Sequence, residues 1–298
     1  MLMPVWKVAI WAAGAVLLSS SLLYAQPGCS AGMLVGTYAV RGQGTIFEPV
    51  PGSNQTLPIP DVHVGIASID YNGNITGRLF GTDAGVAAEA TVTATADVAS
   101  DCTGADHYTV SFIGGPTVQG TNQLLILDGG NQVIAMAGSM NGFQAAVGET
   151  WQRISMLPID YFSAETPCTS DMLRGTYGFS YTGSLIMTLP GSSQPVPLPF
   201  YMVGTSWTDN TGRSPGRFIE NVAGSIAPGT WTTAPGATQV NADCTGSMEW
   251  SLTGPGAPPG TGLDRFVILN GGQEFWSVTV RGIMGAPSFM GTFKRISN

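Results

Sequence analysis

From Leu34 onward the chain alternates apolar with small or polar side chains in short runs, and Gly, Pro, Asn or Asp separates each run from the next. A period of two puts one set of side chains on each face of an extended strand, so the pattern predicts strands rather than helices. The runs are Leu34 to Arg41, Val62 to Ile69, Ile75 to Phe80, Ala88 to Val98, Tyr108 to Ile113, Leu124 to Leu127, Val133 to Ala137 and Thr150 to Ile154. Asp70-Tyr-Asn-Gly-Asn74 and Asp128-Gly-Gly130 supply hairpin turns, because Asn and Gly tolerate the positive φ that tight turns require. Seven or eight such strands form an antiparallel meander, and closing a meander removes its exposed edges. The fold expected is all-β, an up-and-down barrel with a β-sandwich as the alternative.

The whole plan then occurs a second time. Cys29-Ser-Ala-Gly-Met-Leu-Val-Gly-Thr-Tyr38 returns as Cys168-Thr-Ser-Asp-Met-Leu-Arg-Gly-Thr-Tyr177, and Asp101-Cys-Thr-Gly104 returns as Asp243-Cys-Thr-Gly246. Cys29 and Cys168 are 139 residues apart and Cys102 and Cys244 are 142 apart, so one three-residue insertion relates the copies. A period of this size is that of a whole domain rather than of a solenoid repeat. The second copy should place strands at Phe200 to Thr208, Arg217 to Glu220, Met248 to Thr253, Phe266 to Leu269, Phe275 to Arg281 and Thr292 to Ile296. This divides the chain into a leader (1–25), a first barrel (26–156), a short proline-bearing linker (157–167) and a second barrel (168–298).

Lys7 followed by an apolar run from Val8 to Tyr24 reads as an export signal helix with cleavage after Ala25, and a retained anchor is the alternative. Four cysteines at matching positions in an exported chain imply disulfides. The register of the duplication favours Cys29–Cys102 and Cys168–Cys244, each closing a loop inside one copy. No Cys-x-x-Cys occurs and no His adjoins a cysteine, so no metal site is expected and no cofactor is implied. Nineteen Asp and Glu stand against eleven Lys and Arg, a net charge of −8. An acidic chain without clustered cations argues against nucleic acid and anionic membranes as partners. The protein expected is secreted or periplasmic, with no membrane association once the leader is removed.

In Gly-x-Tyr after the first cysteine, Asp-Cys-Thr-Gly, and Leu-Asp-Gly-Gly near the end of the copy, the chain resembles secreted bacterial proteins with duplicated calycin-like or allene-oxide-cyclase-like barrels. The resemblance covers both copies and implies the barrel fold. The catalytic residues of allene oxide cyclase have no counterparts that can be placed here, so no catalytic role is implied.

Several motifs invite chemistry. Asp70-x-Asn72-x-Asn74 resembles a calcium loop, but its glycine is misplaced and Gly81 stands where a bidentate Glu is needed, so a turn is expected. Arg78 and Arg217, and Arg153 and Arg295, are matched between copies, as are Asp70 with Asp209 and Asp101 with Asp243. They read as framework rather than a carboxylate site. His63 and His107 are the only neutral-pH bases of the usual kind, and Met202 and Glu249 replace them in the second copy. A site shared by both halves cannot use them, whereas a site surviving in one half can. Neither Gly-x-Ser-x-Gly nor His-Glu-x-x-His is present.

Trp207, Trp231, Trp250 and Trp276 all belong to the second copy, with Glu220, Glu249 and Glu274 near them in sequence. Aromatic residues at a barrel mouth grip an apolar ligand. The expected ligand site is therefore in or beside the second barrel, with Trp207, Trp250, Trp276 and Glu249 as candidates. The competing outcome is that bulk fills the second barrel and leaves the first one hollow. Three functional classes follow: an exported non-enzymatic protein binding a small apolar ligand, a cyclase or isomerase using a barrel cavity, or a structural or adhesive envelope protein.

Overall fold

The computed structural model describes residues 28–49, 52, 55–140, 143–159, 167–188, 195–254, 257–283 and 285–297. The leader lies outside the described residues, as does most of the linker. Eight antiparallel strands form the first unit: β1 (Gly36–Pro49), β2 (Thr56–Ile69), β3 (Asn74–Asp83), β4 (Val86–Val98), β5 (Thr103–Phe112), β6 (Thr117–Leu127), β7 (Gln132–Met140) and β8 (Phe143–Ser155). Each pairs with the next, and β8 pairs with β1, so the barrel closes. Each of the eight runs falls on one of these strands, apart from Leu34 and Val35, which precede β1, and Ile113, which follows β5; most strands extend beyond their runs because the hairpins are tight. At the β3–β4 turn, Ala84 and Gly85 both have positive φ, and Ala223 and Gly224 repeat the turn in the second copy.

The second unit has nine strands: β9 (Gly175–Thr188), β10 (Pro195–Thr208), β11 (Gly216–Val222), β12 (Ser225–Thr232), β13 (Thr238–Val240), β14 (Thr245–Thr253), β15 (Gly262–Leu269), β16 (Glu274–Arg281) and β17 (Ala286–Ser297). Its sheet runs in the order β12-β11-β10-β9-β17-β16-β15-β14-β13, and a β12–β14 pairing brings the two ends together. The ninth strand has a simple cause. In the first barrel Thr93 pairs with Thr109 and Ala96 with Asp106 along one unbroken β4. Their counterparts are Thr232 paired with Ser251 and Thr238 paired with Met248, on two separate strands. The three extra residues fall between Thr232 and Thr238 and cut the fourth strand in two.

One end of each barrel is sealed in the same way. A 3-10 turn (Ala31–Leu34, repeated as Ser170–Leu173) crosses the end and drives Leu34 or Leu173 into the core. The Tyr38 hydroxyl donates to Gly130 O at 2.8 Å and accepts from Arg153 Nε at 3.0 Å, while the same guanidinium donates to Met33 O. Tyr177, Gly272, Arg295 and Met172 repeat the arrangement. Arg153 and Arg295 are thus framework, and Arg78 pairs with Glu89 across the sheet. Asp70, Asp209, Asp101 and Asp243 cap their own turns by accepting backbone N–H groups, so the calcium-like loop is a turn.

Cys29 is bonded to Cys102 and Cys168 to Cys244, inside the copies as the register requires. Two such bonds place the folded chain in an oxidising environment. They close loops with sequence separations of 73 and 76 residues, so removing either pair should cost about 4 kcal/mol by restoring chain entropy to the unfolded state. Chemical denaturation of a Cys29→Ala/Cys102→Ala variant against the parent measures that loss.

The units pack face to face. Val62, Val64 and Phe80 on the outer face of β2–β3, with Ala39 of β1, bury against Val267, Leu269, Trp276, Val278 and Met290 of β15–β17. The Arg41 guanidinium lies 4.5 Å over the Trp276 ring and donates to Thr292 Oγ1 at 2.9 Å. Ser288 Oγ donates to Pro60 O at 3.3 Å, and Arg265 stacks on Phe80.

Candidate functional site

The two lumens are built on the same strands but filled with opposite chemistry. In the second, Phe179, Tyr181, Phe200, Phe218, Trp231, Phe266, Phe275, Phe289 and Phe293 form one packed cluster, with Phe275 stacked on Phe293 at 4.1 Å and Phe200 on Phe289 at 4.3 Å. Its single buried acid, Asp264, is fully partnered: Trp250 Nε1 donates at 2.9 Å, Thr279 Oγ1 at 2.8 Å, and the Tyr181 hydroxyl donates to the other oxygen. Burial pushes the Asp264 carboxyl up to about 6 against these three hydrogen bonds. A buried polar network with every member satisfied rigidifies a core. A cavity of about 80 Å³ remains beside Met202, Glu220, Val222 and Trp250.

The first lumen has Gly42, Asp61, His63, Asp83, Asp106 and Glu149 where the second has Tyr181, Phe200, Met202, Val222, Met248 and Gly291. Four of these positions exchange an aromatic or apolar side chain for a polar one, the Tyr181/Gly291 pair is replaced by Gly42/Glu149, and a cavity of about 110 Å³ is left. Its closed end is packed by Leu34, Tyr38, Ile69, Ile75 and Ile126. The ionisable groups lie further along the strands, among Ala88, Ala90, Val92, Val110, Phe112 and Val147.

His63 is the centre of this group. Its Nδ1 is 3.0 Å from Asp61 Oδ2, and its Nε2 is 3.3 Å from Glu149 Oε1 but outside hydrogen-bonding geometry. Glu149 Oε2 in turn accepts from Trp151 Nε1 at 2.7 Å. Barrel register explains the convergence: Glu149 pairs with Gly42, Gly42 with His63, and His63 with Gly81 across β8, β1, β2 and β3. A Cβ on Gly42 would stand 2.2 Å from His63 Nε2 and 3.0 Å from Glu149 Cγ, so only glycine lets the imidazole and carboxylate meet there.

Burial opposes a charge on His63, but the Asp61 and Glu149 carboxylates outweigh it and hold the imidazole well above its ordinary range. Burial likewise works to raise Asp61, and His63 reverses it, so Asp61 ends below the usual carboxylate range. Asp83, buried beside ionised Asp61, is pushed up to about 7. Asp106 is also pushed up to about 7, first by burial and then by Glu149. At neutral pH the lumen therefore holds an imidazolium against the Asp61 carboxylate, with Asp83 and Asp106 near their midpoints.

Asp106 and Asn122 face each other in register on β5 and β6, and Asn122 Nδ2 donates to Asp106 Oδ2 at 3.3 Å. Asp106 Oδ1 and Asn122 Oδ1 line the cavity, are buried, and have no hydrogen-bond partner among the described residues. Buried polar atoms without partners are costly and rare in folded proteins. Both atoms belong to side chains that line the same cavity.

The candidates drawn from the second copy are largely relocated. Trp250 does face the second lumen. Trp207 lies half exposed on the outer face of β10, because its position in the alternation is that of Tyr201 and Val203 rather than of Phe200 and Met202. Trp276 packs between the barrels. Glu249 is on the outside, where Arg281 Nη2 reaches its Oε1 at 2.7 Å and Thr261 Oγ1 donates to it at 2.6 Å. His107 is also outside, beside Thr121. His63 was visible in the sequence as a residue confined to one copy, but it alternates with Val62 and Val64, apolar residues of the kind that face a barrel interior. They are buried, but against the second barrel.

Nothing in sequence extends these findings: the chain matches no known protein family and no curated protein. Fold and site together define a pair of disulfide-closed β units, one filled with aromatic rings and one enclosing a polar cavity.

Proposed function

We propose that this is an exported ligand-binding protein whose working site is the lumen of the first barrel, with the second acting as its rigid partner. The observation that carries this reading is the pair of buried oxygens without a partner, Asp106 Oδ1 and Asn122 Oδ1, in a cavity that combines ionisable groups with apolar walls. Once Asp106 has lost its proton, both call for a ligand that donates hydrogen bonds. Asp61, Asp83 and Glu149 nearby repel a carboxylate and favour a cation, while the alanine and valine walls accept an apolar body. A cavity of about 110 Å³ is on the scale of the roughly 150 Å³ sites known to hold benzene. The ligand class is thus a small amine with a compact apolar body. The calycin-like resemblance agrees with this reading, since such barrels commonly enclose small apolar ligands.

Calorimetric titration with benzylamine, benzyl alcohol and benzoate tests the class. Benzylamine should bind about tenfold or more tighter than the alcohol, about 1.4 kcal/mol, and benzoate should not bind. Its affinity should rise from pH 5 to pH 8 as Asp106 loses its proton; equal binding of all three would refute the reading. A second reading, an isomerase or cyclase, rests on His63 alone: its Nε2 faces the cavity with Asp61 orienting the far nitrogen, the arrangement of a general acid. Turnover of a bound ligand, abolished in His63→Gln with binding retained, would favour that reading instead.

A further inference from the structure

The contact between the two barrels is directional. It joins one face of the first unit, the outer side of β2–β3, to a different face of the second, the outer side of β15–β17. Because the units are copies, each also carries the face that the other one uses. On the second barrel, the counterparts of Val62, Val64 and Phe80 are Tyr201, Val203 and Ile219. The first three are 4%, 0% and 2% exposed, whereas their counterparts are 58%, 57% and 55% exposed. On the first barrel, Leu125 and Met136 correspond to Val267 and Val278, which are both 0% exposed, and they are 44% and 59% exposed. Apolar counterparts from each half of the existing interface are therefore repeated and uncovered elsewhere on the molecule.

The complementary features are repeated too. Against the first barrel Trp276 fills the hollow formed by Ala39, Val62, Val64 and Phe80. The same place on the second barrel is an open groove lined by Gly178, Val203, Gly204 and Ile219, with Arg217 and Lys294 also contributing to its walls. The counterpart of Trp276 that would enter it is Ile134, on β7 of a first barrel. Single exposed apolar residues are ordinary, but clusters of them on one face mark interaction sites.

From this repetition we infer that the protein associates with further copies of itself head to tail, the β10–β11 face of one chain docking on the β6–β8 face of the next. The occupant is a second copy because the internal interface already shows these two surfaces bound to each other. Such a contact is heterologous, so it builds an open chain or a closed ring rather than a two-fold dimer. Ile134 in place of Trp276 and Gly148 in place of Met290 make it smaller than the internal contact, and so reversible.

Sedimentation velocity on the disulfide-intact chain tests this. The average mass of the parent should climb steadily as concentration goes from micromolar to near-millimolar. Val203→Asp and Met136→Asp each place a charge on one exposed face, outside both lumens, and each alone should remain monomeric. Mixed in equal amounts they should form a dimer and nothing larger, because each variant retains the face the other has lost. Near-UV circular dichroism checks that both variants are folded. A parent that stays monomeric throughout, a variant that dimerises by itself, or a mixture that fails to dimerise would each overturn the inference.

Discussion

Replacing His63 with alanine is expected to destabilise the first barrel by about 3–5 kcal/mol at pH 7, because it leaves the Asp61 and Glu149 carboxylates buried without their common counter-charge. Both stand within 3.3 Å of the imidazole. The raised His63 pKa also sets the pH dependence of the parent. Its stabilisation is fully present below the unfolded value of about 6.5 and is lost as pH rises through the higher folded value. The second barrel shows how the fold tolerates a different solution, with Met202 and Phe200 in the places of His63 and Asp61. Asp61→Phe/His63→Met should accordingly recover much of what His63→Ala loses. Denaturation curves followed by near-UV circular dichroism measure all three, and a His63→Ala variant as stable as the parent would show that the imidazole carries no charge.

Asp106→Asn is expected to do the reverse, and its effect depends on pH. Asp106 is pushed up to about 7 by burial and by Glu149, whereas in the unfolded chain it ionises near 4. Below about pH 4 the carboxyl is neutral in both states and the substitution changes little. As pH rises towards 7 the unfolded chain sheds the proton and the folded chain does not, so the parent loses stability; asparagine has no such loss. The Asn variant should be the more stable by up to about 4 kcal/mol at pH 8. The groups facing Asp106 are Asn122, Glu149 and Tyr108, with Asp61, His63 and Asp83 across the lumen. Asn122 Nδ2 still finds an acceptor in the amide. Identical pH profiles for parent and variant would mean that Asp106 is ionised in the fold.

Much of the architecture was legible in the sequence. Period-two runs located the strands, and the register of the duplication paired the cysteines, since both depend on local spacing alone. The faces were harder to read. Along β2 the alternation Val62-His63-Val64 has its apolar members outside the barrel and its histidine inside, because a neighbouring barrel buries the outer face. In an isolated barrel the same alternation would mean the opposite. Trp276 fills the interface for the same reason, since its face of the second barrel is buried by the first. The division of β4 into β12 and β13 was written in the change of offset from 139 to 142 residues, but only the pairing showed where between the cysteines it fell. Nothing local in the sequence announced that residues from β1, β2, β3, β5, β6 and β8 meet in one polar cavity, since closure of the barrel alone brings them together.

The central claim is that the site belongs to the first barrel and not to the aromatic second one. Its most direct measurement is benzylamine binding to two lumen-filling variants, each checked for folding. Val147→Phe copies Phe289 into the first lumen, and Met202→Phe adds a ring to the second. Binding should be lost in Val147→Phe and keep its parental affinity in Met202→Phe. Loss confined to Met202→Phe would contradict the account and return the site to the tryptophan-bearing barrel.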